Sequence, residues 1–298
     1  MDINASIIVI NYNTFDLTCN CIESIYKHTT GISFEIILVD NGSRECDPGL
    51  FINRFPNIIL VRSTVNTGFS GGNNLGLTYA KGKFILLLNS DVIFVENSLF
   101  KCYNRIGEDE NIGVLSCQLR HENGNIQQSA NGFPSISNEL IELFRLNKIF
   151  KSLNKRLGGF YFNHAESIEV DWVWGTFFLL RTEVLDKFPN RKLPDKYFMY
   201  YEDVDWCYLI SRKLGYKILF YADTYVIHLL SASSSNEKVA SKKKLLLKHE
   251  SMFLQQYTSS FTSRLYFLIK GIKFLTIRTR ESLEMSLDCL KYFLKGAA

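Results

Sequence analysis

Ile36-Ile37-Leu38-Val39-Asp40-Asn41-Gly42-Ser43 is the stretch whose reading decides the fold: an apolar run broken abruptly by an acid, an amide and a glycine. Such a run is too short for a buried helix, and it ends on residues that favour turns, so it reads as a buried strand with a polar tip. Asp40 then stands at the carboxyl end of that strand, where its carboxylate can accept a hydrogen bond from a base N–H or a ribose hydroxyl. An Asx-turn ahead of Gly42 is the competing explanation.

The same arrangement recurs on either side. Ser6 to Ile10 is a β-branched run closed by Asn11-Tyr12-Asn13, and Asp16 to His28 then places Leu17, Cys21, Ile22, Ile25 and Tyr26 at helical spacing. Ile58 to Val61 is a strand followed by a helix from Gly71 to Ala80, and Phe84 to Leu88 is a strand closed by Asn89-Ser90-Asp91. Alternating strands and helices predict an α/β fold, with a mostly parallel central sheet covered by helices on both faces and a ligand crevice at the strands' carboxyl ends.

The nucleotide-binding half is expected over residues 1–120. Residues 121–165 read as an excursion containing a helix from Asn138 to Leu153. Trp172 to Leu180 returns to a strand, and Glu202 to Leu214 is a helix with acids at its start, Arg212-Lys213 at its end and Gly215 as C-cap. Lys217 to Phe220 and Tyr225 to His228 read as two short strands that complete an acceptor and catalytic half over 121–235. Residues 236–298 form a helical tail.

With 298 residues, 46% of them hydrophobic, the chain can bury a large core, which excludes disordered and fibrous classes. Seven cysteines without metal-like spacing, and no leader sequence, lead to the expectation of reduced thiols in a cytoplasmic protein; Cys19 and Cys21 read as helix packing. No apolar run reaches about 18 residues, so no spanning helix is expected. The net charge of +4 is unevenly spread: from Lys238 onward there are 12 Lys/Arg against 4 Asp/Glu, a net of +8, which leaves −4 for residues 1–237.

Three further features carry chemistry. Asn66-Thr67-Gly68-Phe69-Ser70-Gly71-Gly72-Asn73-Asn74 enters a helix, and its glycines permit close backbone approach to a phosphate-bearing ligand; its spacing matches neither the P-loop nor the dinucleotide fingerprint. Asp91 ends the most hydrophobic strand, where a divalent cation shared with a diphosphate would satisfy it, although capping of the next helix is the alternative. Glu202, Asp203 and Asp205 cluster at a helix start, which favours the macrodipole by about 0.3–1 kcal/mol per acid but needs only one of them.

Taken in order, Ile7-Ile8-Val9-Ile10-Asn11-Tyr12-Asn13, Val39-Asp40-Asn41-Gly42-Ser43, the Asn66–Asn74 block, Leu88-Asn89-Ser90-Asp91, Asp171-Trp172-Val173-Trp174-Gly175 and Met199-Tyr200-Tyr201-Glu202-Asp203-Val204-Asp205-Trp206 resemble the inverting family 2 glycosyltransferases of GT-A fold. The rhamnosyltransferase-like bacterial branch is the most similar, and the resemblance covers about residues 5–235. It implies a donor site built from Asn11, Asp40, Asn41, Gly68, Gly71, Asn73, Asn89 and Asp91, with Asp40 at the pyrimidine. It implies a divalent metal, Mg²⁺ or Mn²⁺, at Asp91 and His228, and an acceptor site at Trp172, Trp174 and Gly175. Asp203 is then the general base, with Glu202 as second choice. Asn89 departs from the family's Asp-X-Asp motif by replacing its first acid.

The expected activity is metal-assisted, inverting transfer of a sugar from dTDP-rhamnose or a UDP-sugar to a glycan hydroxyl in bacterial surface polysaccharide synthesis, O-antigen or capsule, on a polyprenyl-diphosphate-linked acceptor. A non-catalytic sugar-nucleotide-binding assembly subunit and a nucleotidyltransferase are the rivals; the second would need a basic glycine-rich loop after the first strand, where Asn11-Tyr12-Asn13-Thr14 stands. The tail mixes cations with Leu245-Leu246-Leu247 and the apolar residues of Phe261 to Arg280. That composition predicts an interfacial helix on anionic lipid and a peripheral location at the inner face of the cell membrane. Packing on the catalytic domain or an oligomer contact is the alternative. Nucleic acid is not expected, because no recognition module accompanies the charge.

Overall fold

A computed structural model describes residues 3–146, 164–230 and 236–295. The chain divides into two compact units, residues 1–130 with 163–231, and residues 131–162 with 232–298. The excursion after residue 130, assigned from the sequence to the acceptor half, therefore groups with the tail.

The first unit is built on a nine-stranded sheet. Its strands are β1 (Ala5–Asn11), β2 (Phe34–Asn41), β3 (Ile59–Ser63), β4 (Phe84–Asn89), β5 (Val92–Ile93), β6 (Ile112–Arg120), β7 (Ile168–Val170), β8 (Phe177–Arg181) and β9 (Lys217–His228). Their order is β3-β2-β1-β4-β8-β6-β9-β5, with β7 on β9. β1, β2, β3 and β4 pair in parallel, with Ile10 opposite Val39 on one side and Asn89 on the other. The order reverses between β1 and β4, and a doubly wound sheet opens its ligand crevice at such a switch point. Asn11, Asp40 and Asn89 all end strands there.

Helices cover both faces. α1 (Phe15–His28) and α4 (Ser98–Gly107) bury Ile22, Ile25, Leu99, Cys102 and Ile106 in one cluster with Ile7, Val9, Ile36, Leu38, Leu86 and Leu88. Between them in sequence lie α2 (Gly49–Arg54) and α3 (Gly68–Leu77). α3 packs on the other face, where Gly76 approaches so closely that a Cβ would lie 2.5 Å from Ile8 Cγ2. The helix begins at Gly68, three residues earlier than the sequence pattern indicates.

Two expectations needed revision. The strand expected over Trp172 to Leu180 is interrupted: Trp172–Val173 is a separate extended pair, and β8 starts at Phe177 and runs antiparallel to β4 and β6. The two short strands expected over 217–228 are one strand, β9, with a register shift between Tyr221 and Tyr225. β6, the longest of the strands before β9, lay in a region the hydrophobic pattern had left unassigned.

α6 (Thr182–Leu185) follows β8, and α7 (Glu202–Tyr208) continues into a π-helical turn at Leu209–Lys213. In the second unit stand α5 (Ile136–Leu143), α8 (Asn236–Tyr257), α9 (Ser260–Ile277) and α10 (Arg280–Lys295). The expected helix from Asn138 thus ends at Leu143, and its continuation over 147–153 lies outside the described residues. Ser135 caps α5 through Asn138 N and Ser259 caps α9 through Thr262 N.

A buried ionic network joins α5, α8 and α9. Lys270 Nζ donates to both Glu250 oxygens at 2.7 and 2.6 Å, the Tyr266 hydroxyl lies 2.6 Å from a Glu250 oxygen and 3.0 Å from a Glu139 oxygen, and Lys273 pairs with Glu139 and Glu142. Burial works against the charge on Lys270, but the Glu250 and Glu139 carboxylates outweigh it and hold the ammonium above its ordinary range. Removing one partner of a buried pair leaves uncompensated charge, at a cost of about 3–5 kcal/mol. Lys270→Met is expected to destabilise the second unit by roughly that amount, measured by urea unfolding, whereas Lys270→Met combined with Glu250→Leu loses less.

Candidate active site

Three strand tips converge. Asn11 Nδ2 donates to Asp40 Oδ1 at 3.0 Å and to Ser43 Oγ at 2.9 Å, and Asn11 Oδ1 accepts from Thr14 and Thr18. Thr14 Oγ1 lies 3.2 Å from Ser90 Oγ, which ties the β1 loop to the loop after β4. Asp40 is almost fully buried, with Asn11 holding one of its oxygens.

Asp91 and His228 meet because β5 pairs antiparallel with the end of β9, setting His228 opposite Val92. His228 Nε2 lies 3.3 Å from Asp91 Oδ1. The imidazole's other nitrogen fixes its tautomer. Gln127 Nε2 donates to the His228 carbonyl at 2.8 Å, so the Gln127 amide can face only one way, with Oε1 2.7 Å from Nδ1. Oε1 can only accept, hence Nδ1 carries a proton and Nε2 is the ring nitrogen that meets the Asp91 carboxylate. An imidazole nitrogen and a carboxylate oxygen this close can share a proton or a divalent cation. Together with diphosphate oxygens they match the ligand set of Mg²⁺ or Mn²⁺, which takes one or two protein carboxylates plus substrate phosphates. Among the described residues no three His, Cys, Asp or Glu side chains gather as a metal site. Gln127 escaped the sequence reading because neither its type nor its neighbours resemble a motif; only the fold brings it to His228.

The acceptor-side residues lie on the break between Trp172 and β8. Trp174 is half-buried with its ring edge-on to His228, centroids 6.4 Å apart, and Asn89 Nδ2 reaches Thr176 Oγ1 at 3.4 Å. Gly175 N donates to Asp203 Oδ2 at 3.1 Å, and Val204 N donates to Asp203 Oδ1 at 2.9 Å. This contact joins the expected acceptor block to the expected base.

Part of the anticipated donor site turns inward. Asn41 spends its amide on the α3 entry: Oδ1 accepts from Thr67 N and Oγ1, and Nδ2 donates to Gly68 O and Asn66 Oδ1. Gly68 has φ +75°, and a Cβ there would lie 2.2 Å from Phe198 O. Asn73 is buried and donates to Phe69 O. The Asn41 and Asn73 amides and the Gly68 backbone hold α3 in place. Gly71 remains half-buried, while Asp40, Asn89 and Asp91 stand around the switch point.

Glu202 and Asp203 differ in burial although adjacent. Asp203 retains some exposure, whereas Glu202 is buried and its Oε2 finds no hydrogen-bond partner among the described residues. Burial raises Asp203 to about 6 against the opposing pull of three backbone N–H groups. Burial, followed by repulsion from Asp203, holds Glu202 well above the ordinary carboxylate range. A carboxyl raised on folding contributes stability that is complete below its unfolded pKa of about 4.3 and is lost as pH rises through the folded value. Glu202→Gln escapes that loss, so its unfolding temperature relative to the parent is expected to rise between pH 5 and pH 8. Equal differences at both pH values, read by scanning fluorimetry, would contradict the buried carboxyl pair.

The profile described as Glycosyl transferase family 2 matches residues 6–188. Glycosyltransferase GlyG of Streptococcus pneumoniae is 27% identical over 205 residues, which cover 65% of this chain and 63% of that protein. Rhamnosyltransferase WbbL of Escherichia coli is 28% identical over 173 residues, covering 54% and 62%. The matches therefore span less than two thirds of these relatives. Among solved structures, a mannosyltransferase from Pyrobaculum calidifontis in complex with GDP-Man and Mn²⁺ superposes with a TM-score of 0.62 at 14% identity, over 99% of this chain and 76% of that one. Staphylococcus aureus TarS 1-349 superposes with a TM-score of 0.52 at 14% identity, over 99% and 92%. The sheet order, the convergent strand tips and the extent of the profile match lead to one assignment: the chain has the GT-A fold and belongs to glycosyl transferase family 2.

Proposed function

We propose that the protein is an inverting glycosyltransferase that moves a sugar from dTDP-rhamnose or a UDP-sugar to a hydroxyl of a glycan acceptor during bacterial surface polysaccharide synthesis. The observation that carries this reading is Asp203, a partly exposed residue whose carboxylate is oriented by Gly175 N and Val204 N and raised by burial to about 6. A general base works best when its pKa lies near the operating pH. Glu202 is less suited because it is buried and keeps its proton.

In the proposed reaction Asp203 accepts the proton of the acceptor hydroxyl as that oxygen bonds to the anomeric carbon. The bond from that carbon to the diphosphate oxygen breaks with its electron pair leaving on the nucleoside diphosphate. One displacement inverts the configuration. Asp40 orients the base or ribose, Trp172 and Trp174 offer flat faces to the acceptor, and Asp91 with His228 would hold the divalent cation. When bound, Mg²⁺ or Mn²⁺ supplies charge neutralisation for the leaving diphosphate. The Mn²⁺ and GDP-Man of the mannosyltransferase support this assignment by likeness of fold.

The proposal extends to the second unit. Leu283, Leu287 and Leu294 recur on one side of α10 at 46%, 60% and 71% exposure, beside exposed Arg280 and Lys291. No described helix is long and apolar enough to cross a membrane. The leucines and the +8 charge after residue 237 favour adsorption to anionic lipid at the inner membrane face, where a polyprenyl-linked acceptor would be met.

Asp203→Asn is expected to lower turnover by about 10²–10⁴-fold while retaining nucleoside diphosphate affinity. In the parent, kcat should fall on the acid side of about pH 6, as Asp203 takes up its proton. Release of nucleoside diphosphate across a panel of UDP- and dTDP-sugars measures both, and near-parental turnover in the variant would remove Asp203 as base. Separately, the full chain is expected to sediment with phosphatidylglycerol vesicles and not with phosphatidylcholine vesicles. Replacing Leu283, Leu287 and Leu294 with Ser should weaken that association; a parent that stays in the supernatant refutes the membrane role.

A further inference from the structure

The segment from Leu193 to Tyr201 delivers Glu202 and Asp203 to the site with no helix or strand of its own. Its course is set from α3, through three consecutive attachments. The Asn74 side chain closes a two-way pair with the Leu193 backbone, donating from Nδ2 to Leu193 O at 2.8 Å and accepting at Oδ1 from Leu193 N at 2.9 Å. Ser70 Oγ donates to Tyr197 O at 3.1 Å, and Phe69 N donates to Phe198 O at 2.8 Å.

The first half of the segment is also bound to α7 itself. Trp206 Nε1 donates to Pro194 O at 2.8 Å, and Lys196 Nζ pairs with buried Asp205 at 2.9 Å. Segment and α7 thus move together, and their position against the donor-side helix depends on the three attachments to α3. Between the last attachment and Glu202, Tyr200 and Tyr201 hold φ of 68° and 75°. Two successive bulky residues in the left-handed region are strained and persist only where the surroundings over-determine them. Loosening the segment would let them relax and carry Asp203 with them.

We propose that Asn74 is a positioning residue for the reaction: its buried amide registers the segment bearing the base against α3, without itself belonging to the donor or acceptor site. Only a side-chain amide of this length offers a donor and an acceptor side by side to one backbone residue. Asp in its place keeps the acceptor toward Leu193 N but sets an oxygen against Leu193 O. This inference rests on the reading of Asp203 as base.

The test compares Asn74→Asp and the milder Ser70→Ala with the parent. UDP and dTDP affinity, turnover of the donor selected by the panel above, the pH dependence of kcat and the unfolding temperature are all measured. For Asn74→Asp, nucleotide affinity is expected to stay within about twofold while kcat falls by about 10²-fold, the size of loss a displacement of about 1 Å can cause. The acid limb of kcat should move below pH 6 as Asp203 gains water. Ser70→Ala should show the same pattern with a smaller loss. Parental kcat in Asn74→Asp overturns the proposal, as does a loss of nucleotide affinity in proportion to kcat with the acid limb unmoved. If Asp203→Asn keeps its turnover, the underlying assignment of the base is what fails; if Asp203→Asn is inactive and Asn74→Asp is not, the positioning role alone fails.

Discussion

The Asn41 side-chain amide is the constraint on which the first unit depends. It stands at the tip of β2 beside Asp40, and both its oxygen and its nitrogen are engaged by the Asn66–Gly68 entry to α3. A buried amide of this kind is costly to leave unpaired, so the α3 entry cannot drift from the strand tip without losing several bonds at once. Gly76 then lets the same helix settle onto Ile8 and Val39 at backbone distance. From the other side of α3, Asn74, Ser70 and Phe69 hold the segment leading to Asp203. One helix consequently references both Asp40 and Asp203, the residues proposed to meet the nucleotide and the acceptor.

Much of this was legible in the chain because apolar runs interrupted by polar tips are dictated by burial. β1, β2 and β4 are covered on both faces, so they read as unbroken hydrophobic stretches, and the only place left for Asn11, Asp40 and Asn89 is the strand end. The antiparallel insertion of β8 between β4 and β6 was not legible. Trp172-Val173-Trp174-Gly175-Thr176-Phe177 holds no charged residue and only Thr176 as a polar side chain, and the break is marked only by long-range bonds, Gly175 N to Asp203 and Asn89 N to Thr176 O. β9 was misread as two strands for a related reason. Its register shift places polar Ala222-Asp223-Thr224 outside the ladder while the chain continues in the same direction.

The site was legible in residue type more than in role. The Asn66–Asn74 block reads as a phosphate-approaching loop because glycine and asparagine serve close backbone contact of any kind. The structure uses Asn41, Gly68 and Asn73 for contact with protein, a distinction that no local pattern carries. His228 could be found through the family resemblance, but Gln127 could not, since it acts only by hydrogen-bonding the His228 ring and carbonyl across the fold. Long-range hydrogen bonds of this sort leave no periodic trace in a sequence.

Two pairs of ionisable groups divide the electrostatic work, and their surroundings push them in opposite directions. Asp91 and His228 face each other through a carboxylate oxygen and Nε2, an arrangement that would accommodate a cation where the proposed leaving group gains charge. Glu202 and Asp203 sit at the start of α7, whose positive end favours one negative charge, yet burial and mutual repulsion keep the second carboxyl protonated. One member of that pair is therefore anionic near neutral pH, and it is the one with access to solvent and with both oxygens aligned by backbone N–H groups. Pairs driven apart in this way mark acid and base roles in active sites generally. The Tyr200–Tyr201 backbone adds a mechanical element: two left-handed residues immediately before Glu202 set the direction in which α7 starts, with Asp203 held against Gly175 N.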